Sequence, residues 1–276
     1  MKAVRYTLDG AEPRIGRLEE ERVVDAGPAG PAGFVPTAEA WQALSAADGD
    51  GVPLERARLL HPVQPEKILA IGLNYRDHAA ESDLGVPDTP VVFAKWPSAL
   101  IGHDETIVIP REETRPDWEG EVAIILGRRL YRADEAQARA AVGGLSIMHD
   151  VSGRRAQLET PLRQFTLGKS FDTFAPMGPC IATADGVDLA AIGVQTRVSG
   201  EVMQSSSTEH LIFSVVQLLV YLSRGLTLEP GDVLATGTPA GVGDSRTPPR
   251  YLKDGDVVEI TVDGVGTLRN PVALEP

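Results

Sequence analysis

The tripeptide Glu119-Gly120-Glu121 leads into an apolar run, Val122 to Leu126, that reads as a β-strand buried on both faces. Side chains alternate along a strand, so both carboxylates point to one side, about 7 Å apart. Two readings fit such a pair: oxygen ligands around a hard divalent cation, or two solvated acids at a strand end. A second apolar strand, Leu145 to His149, runs into Asp150, which is either a third ligand or the N-cap of the helix expected after it. His78 and Glu81 are i,i+3 neighbours on a short helix predicted over 75–82, close enough for the carboxylate to orient the imidazole. Beside a polarised carbonyl such a pair takes a proton from water, and elsewhere it is a plain surface contact. Gly168-Lys169-Ser170 has the ending of a P-loop, but Arg163 stands where that pattern needs its first glycine, so the reading fails. The loop Gly237-Thr238-Pro239-Ala240-Gly241-Val242-Gly243 follows a strand and can turn backbone N–H groups toward an anion, although an ordinary loop fits as well. It opens no recognisable helix, which argues against a dinucleotide fingerprint.

These residues need a strand-rich frame. Short β-prone runs at 91–95, 106–109, 121–126, 145–149, 194–198, 233–236 and 257–262 are bounded by Gly, Pro or Asp. Helices are expected at 75–82, 134–142, 152–158 and 208–224, the last capped by Thr208 and ended by Gly225. Many strands and few helices point to a mixed α+β protein, mainly β, curled or barrel-like rather than built from βαβ units. Alternating residues over 2–25, with a turn at Asp9-Gly10, and a helix capped by Thr37 make a small N-terminal α+β domain over 1–62. Residues 63–276 are expected to form the larger domain, which carries the candidate metal-binding and catalytic residues.

The formal net charge of −13 argues against a nucleic-acid partner, because binding phosphates needs a basic surface. The longest apolar stretch, Leu211 to Leu222, is too short to span a bilayer, and the N-terminus lacks the apolar core of a signal peptide. Cys180 is the only cysteine, which fits a reducing cytoplasm and reads as a buried, inert thiol behind a turn at Gly178-Pro179.

Taken in order, Gly72-Leu73-Asn74-Tyr75-Arg76-Asp77-His78-Ala79-Ala80-Glu81, Trp118-Glu119-Gly120-Glu121, His149-Asp150-Val151-Ser152 with Arg154, Gly168-Lys169-Ser170-Phe171-Asp172 and the Thr236 to Gly243 loop resemble the fumarylacetoacetate hydrolase family. The likeness covers roughly residues 66–276. It implies the family's C-terminal β-roll with short helices, a homodimer, and Mg²⁺ or Mn²⁺ (Ca²⁺ in some members) held by Glu119, Glu121 and Asp150. It also implies Lys169 in the active site and Thr238 on a substrate carboxylate, with Gly237, Arg154 and Gln157 lining the substrate. Members with His and Glu on the short helix, as His78 and Glu81 are here, are similar to acylpyruvate hydrolases and oxaloacetate decarboxylases. Trp118 departs from the more usual Tyr, and Arg155 adds a charge that is expected to face solvent.

The implied enzyme acts on a small 2-oxo acid through an enolate that a metal stabilises. Hydrolysis of an acylpyruvate C–C bond, with His78 and Glu81 activating water, ranks first. Oxaloacetate decarboxylation follows, and then isomerisation of a dienoic diacid. The alternative of another class is a non-catalytic metal-binding protein of the same fold.

Overall fold

The structure is a computed structural model that describes residues 1–81 and 85–276, so Ser82 of the expected 75–82 helix lies outside the described residues. The strands of the N-terminal part are β1 (Lys2–Thr7), β2 (Arg14–Glu19), β3 (Arg22–Pro28), β4 (Val52–Pro53) and β5 (Arg58–Leu60). Next come β6 (Ile68–Gly72), β7 (Val91–Lys95), β8 (Leu100–Ile101), β9 (Ile107–Ile109), β10 (Pro116–Asp117), β11 (Gly120–Leu126) and β12 (Val142–His149). The last are β13 (Ser152–Gly153), β14 (Ala175–Thr183), β15 (Gly193–Val198), β16 (Glu201–Ser207), β17 (Val233–Ala235), β18 (Val257–Val262) and β19 (Gly266–Leu274). Short helices interrupt them: α1 (Ala38–Ser45), α2 (Arg76–Glu81), α3 (Glu135–Ala140), α4 (Arg154–Leu158), α5 (Phe165–Gly168) and α6 (Val215–Ser223).

Among the described residues one 12-stranded sheet runs β4-β3-β2-β1-β14-β12-β11-β17-β6-β7, with β5 also on β1 and β8 also on β14. A second sheet runs β16-β15-β18-β19-β9. Strand alternation sorts the central side chains into two cores. Val122, Ile124, Leu145, Ile147, Ile71 and Leu234 pack with Val194, Val258, Ile260 and Leu268 of the second sheet. Ala123, Ile125, Met148, Ile68 and Val233 pack on the other face with Phe93 and with Leu44 of α1. Each large side chain buried this way contributes about 1.5–3 kcal/mol.

The large sheet curls, because β8 follows β7 and returns to pair with β14. It stops short of a closed barrel: β7 pairs with β6 and ends the path, which corrects the barrel half of the expectation. The boundary expected near residue 62 falls between β5 and β6, and the same sheet crosses it through the β1–β14 pairing.

Two local expectations change. The helix expected over 208–224 is a 3-10 turn at Thr208–His210 followed by α6, which Ser214 and Gln217 cap as a box. Asn74 holds the backbone of Ile212 and Phe213 in between, which keeps those residues out of a helix. Gly178-Pro179 is no turn but lies within β14, where the register against β12 shifts, a place where a strand tolerates Pro.

Antiparallel pairing of β11 with β12 and β17 places the start of β11 beside the ends of the other two. Strand β6 is parallel to β17, so its end arrives there too. Glu119, Glu121 and Asp150 share the parity of Ala123 and Met148 and therefore rise from one face at this end.

Candidate active site

Glu119, Glu121 and Asp150 are all buried, and one carboxylate oxygen from each lies within 4.8 Å of the others. Gly120 is required between the glutamates, because a Cβ there would collide with the Thr196 hydroxyl of β15. Asp150 is not a helix cap: Gly153 is the N-cap of α4 and gives no side-chain cap, and the Asp150 carboxylate turns to two lysines instead.

Those lysines organise the cluster. Lys169 Nζ donates to Glu119 at 2.8 Å, to Asp150 at 2.6 Å and to Ser152 Oγ at 2.8 Å. Lys95 Nζ donates to Asp150 at 2.7 Å and to the carbonyl oxygen of Lys169. Arg154 donates to Glu119 at 2.6 Å, to Asp117 and to the side-chain oxygen of Gln157. Burial works against the Lys169 charge, but Asp150 and Glu119 outweigh it and raise its pKa. For Lys95 burial wins and lowers the pKa despite Asp150. Burial would raise Glu119, yet Lys169 and Arg154 together hold it well below the usual carboxylate range.

Glu121 is the exception. It accepts one hydrogen bond, from Gly237 N–H at 2.9 Å, and no cationic side chain among the described residues pairs with it. Burial, with Asp150 and Glu119 beside it, pushes its carboxyl well above the ordinary range. Four buried carboxylates, counting Asp117, thus share the three cations Lys95, Lys169 and Arg154, and the missing charge is at Glu121. An all-oxygen donor set short of positive charge fits a hard divalent cation.

A cavity of about 390 Å³ opens over the cluster, lined by Glu119, Lys169, Arg154, Gln157, His78 and Thr238 among others. His78 Nδ1 lies 3.3 Å from Glu81, on the expected helical face. Arg155 is exposed, as expected.

The Gly237–Gly243 loop does turn its N–H groups toward anions, and those anions are the protein's own carboxylates. Gly237 serves Glu121, Gly241 serves Glu81 at 3.0 Å, and Gly243 serves Asp117 at 2.6 Å. The Gly237 amide expected to meet substrate is therefore already engaged. At Gly241 the backbone has φ +103°, and a Cβ would strike the Met203 carbonyl, so only glycine fits. Trp118 is buried and donates its indole N–H to the Gly241 carbonyl.

Three participants escaped the sequence reading. Lys95 ends β7, Asp117 precedes the Glu-Gly-Glu strand, and Gln204 comes from β16 of the other sheet. Parity gave a usable signal for Asp117, two residues before Glu119. Nothing local marks Lys95 or Gln204.

The model of the fumarylacetoacetate (FAA) hydrolase C-terminal family matches residues 67–273. An uncharacterised protein of Archaeoglobus fulgidus is 47% identical over 223 residues, 81% of this chain and 85% of its own. The mitochondrial oxaloacetate tautomerase fahd2 of Xenopus laevis is 42% identical, over 83% of this chain and 73% of that one. The crystal structure of 5-carboxymethyl-2-hydroxymuconate delta-isomerase from Mycobacterium smegmatis superposes with a TM-score of 0.83 at 33% identity, covering 100% of both chains. With a family model spanning most of its length, an acidic cluster under a cavity and full-length structural relatives, this chain belongs to the fumarylacetoacetate hydrolase family of enzymes.

Proposed function

We propose that the protein is a divalent-metal enzyme that relocates a proton within a small 2-oxo diacid, interconverting enol and keto forms. The observation that carries this reading is His78, backed by Glu81, on the wall of the same cavity that Glu119 and Lys169 line. The relatives named as a tautomerase and an isomerase support placing proton transfer ahead of acylpyruvate hydrolysis, the reaction ranked first on the family resemblance. Hydrolysis and decarboxylation would draw on the same residues.

Mg²⁺ or Mn²⁺ held by Glu119, Glu121 and Asp150 would supply Lewis-acid polarisation of the 2-oxo group. Lys169 stands beside those ligands with its three N–H groups engaged by Glu119, Asp150 and Ser152, so it contributes positive charge near the oxygen that gains charge as the proton leaves carbon. Glu81 faces His78 Nδ1, so the N–H on that side points at the carboxylate and Nε2 is left as the base. The Gly241 N–H fixes Glu81 in turn. Gln157 spends its oxygen on Arg154, which leaves its NH₂ group to meet a substrate oxygen. Arg154, tied to Asp117 and Glu119, adds positive charge to the same wall. This reading also includes a homodimer in a cytoplasmic setting, which sedimentation and cell fractionation test.

The test is conversion of enol-oxaloacetate followed by its ultraviolet absorbance, with Mn²⁺ and then with EDTA. Metal-dependent turnover supports the proposal. A protein that turns over neither oxaloacetate, acylpyruvates nor dienoic diacids under those conditions sinks it.

A further inference from the structure

Four side chains that can carry positive charge line the cavity: His78, Arg154, Arg163 and Lys169. Three of them are answered inside the protein. Lys169 is held by Glu119 and Asp150, Arg154 by Asp117 and Glu119, and His78 faces Glu81. Asp244, the other carboxylate on the wall beside Glu119, accepts from the Tyr251 hydroxyl at 2.6 Å. Arg163 differs, because its guanidinium meets no hydrogen-bond or ion-pair partner among the described residues. It is also exposed, whereas Glu119, Arg154, Lys169 and Thr238 are buried. Arg163 therefore stands at the mouth of the cavity and the others at its floor.

The backbone at Arg163 has φ +56°, in the left-handed region that favours glycine. Of the described non-glycine residues with such a φ, only Leu73 and Arg163 line the cavity. The segment 159–164 joins α4, which carries Arg154 and Gln157, to α5, which leads into Lys169. Its base is tied down. Gln164 N–H donates to the Gln157 carbonyl at 2.8 Å, and Arg163 N–H donates to the Thr160 carbonyl at 3.0 Å. Next to it α5 packs so closely on α4 that a Cβ on Gly168 would strike the Gln157 backbone. The chain that sets Gln157 on the floor thus also fixes where the Arg163 side chain starts. Such a backbone conformation under a large side chain is a pointer to function.

A guanidinium carries five N–H donors in a planar fork that matches a carboxylate. We infer that Arg163 is a specificity-determining residue that takes the distal carboxylate of the 2-oxo diacid, while the floor of the cavity takes the 2-oxo acid head. The protein then selects a diacid over a 2-oxo acid whose far end is uncharged. With a net charge of −13 on the chain, a cation at the mouth also eases the approach of a dianion. This inference rests on the proposed 2-oxo acid chemistry.

The experiment uses the Mn²⁺-loaded protein with enol-oxaloacetate, with the enol of its distal methyl ester, and with oxalate, which has the chelating head alone. Arg163→Gly removes the side chain and suits the backbone, so it should fold as the parent does. It should raise KM for enol-oxaloacetate about tenfold, with kcat within about threefold, the signature of lost uniform binding. KM for the ester and affinity for oxalate should stay within about twofold. Added salt should raise the diacid KM of the parent more than that of the variant, because the contact lies at the exposed mouth. If Arg163→Gly leaves the diacid KM of an active parent unchanged, or raises the ester KM as much, Arg163 does not read the distal carboxylate. Either result overturns the inference and leaves the functional reading standing, as does a parent that handles ester and diacid with equal KM. Should Arg163→Gly not fold, Arg163→Gln decides by the same comparison. A parent protein that neither binds oxalate nor turns over the enol overturns the functional reading, and this inference with it.

Discussion

The N-terminal hairpins and the end of β11 use the same chemical groups to opposite ends. On the hairpins, Arg14 meets Asp25 at 2.5 Å and Tyr6 donates to the same carboxylate at 2.8 Å. The Arg14 and Asp25 side chains are each 41% exposed, so water solvates both charges and little depends on the pair. At the end of β11 the ion pairs are just as short, but Asp150 and Lys95 are fully buried. There each carboxylate needs its own cation, and Glu121 lacks one. Geometry alone does not tell a structural pair from a site; burial with an unbalanced charge does.

The largest effect should come from removing the metal. EDTA should abolish turnover and added Mn²⁺ should restore it, while anything done to the Arg14–Asp25 pair leaves activity intact. Next, His78→Ala should cut kcat by about 10²- to 10⁴-fold, the usual contribution of a general acid–base. Mn²⁺ binding should be unchanged in that variant, which separates proton transfer from the carboxylate cluster.

Lys169→Met sharpens the contrast in stability. It leaves Glu119 and Asp150 buried with one cation fewer, and urea titration of the metal-free protein should show a loss of about 3–5 kcal/mol. Asp25→Asn on the hairpin should barely move the same curve. The smallest signal concerns Cys180, buried in β14. Burial raises its thiol pKa to about 12, so it stays protonated at any working pH. Iodoacetamide at pH 8 should leave the folded protein unmodified and label it only in denaturant.

The contrast between local and distant partners also explains what was legible in the sequence. Strand parity put Glu119 and Glu121 on one side, and the apolar run ending at Asp150 supplied the third carboxylate. The i,i+3 spacing paired His78 with Glu81. All of these follow from neighbours along the chain. Lys95 reaches Asp150 across 55 residues, and Gln204 reaches Gly120 across 84, through the pairing and packing of two sheets. No local period encodes that. The same holds for the Gly237–Gly243 loop, whose readiness for anions was visible but whose anions were not. Helix α6 failed differently: Thr208 and Ser214 are both good caps, and the long-range grip of Asn74 on residues 212–213 chose between them.

The metal site turns on Glu121, the buried carboxylate without a cation. Mn²⁺ titration of the metal-free parent and of Glu121→Gln, with melting curves for both, tests it directly. The parent should bind one Mn²⁺ per chain, and the variant should bind it on the order of 100-fold more weakly. The metal-free variant should be at least as stable as the parent, since a buried acid without a cation has been neutralised. A folded Glu121→Gln protein that binds Mn²⁺ as the parent does would contradict the carboxylate trio as a metal site.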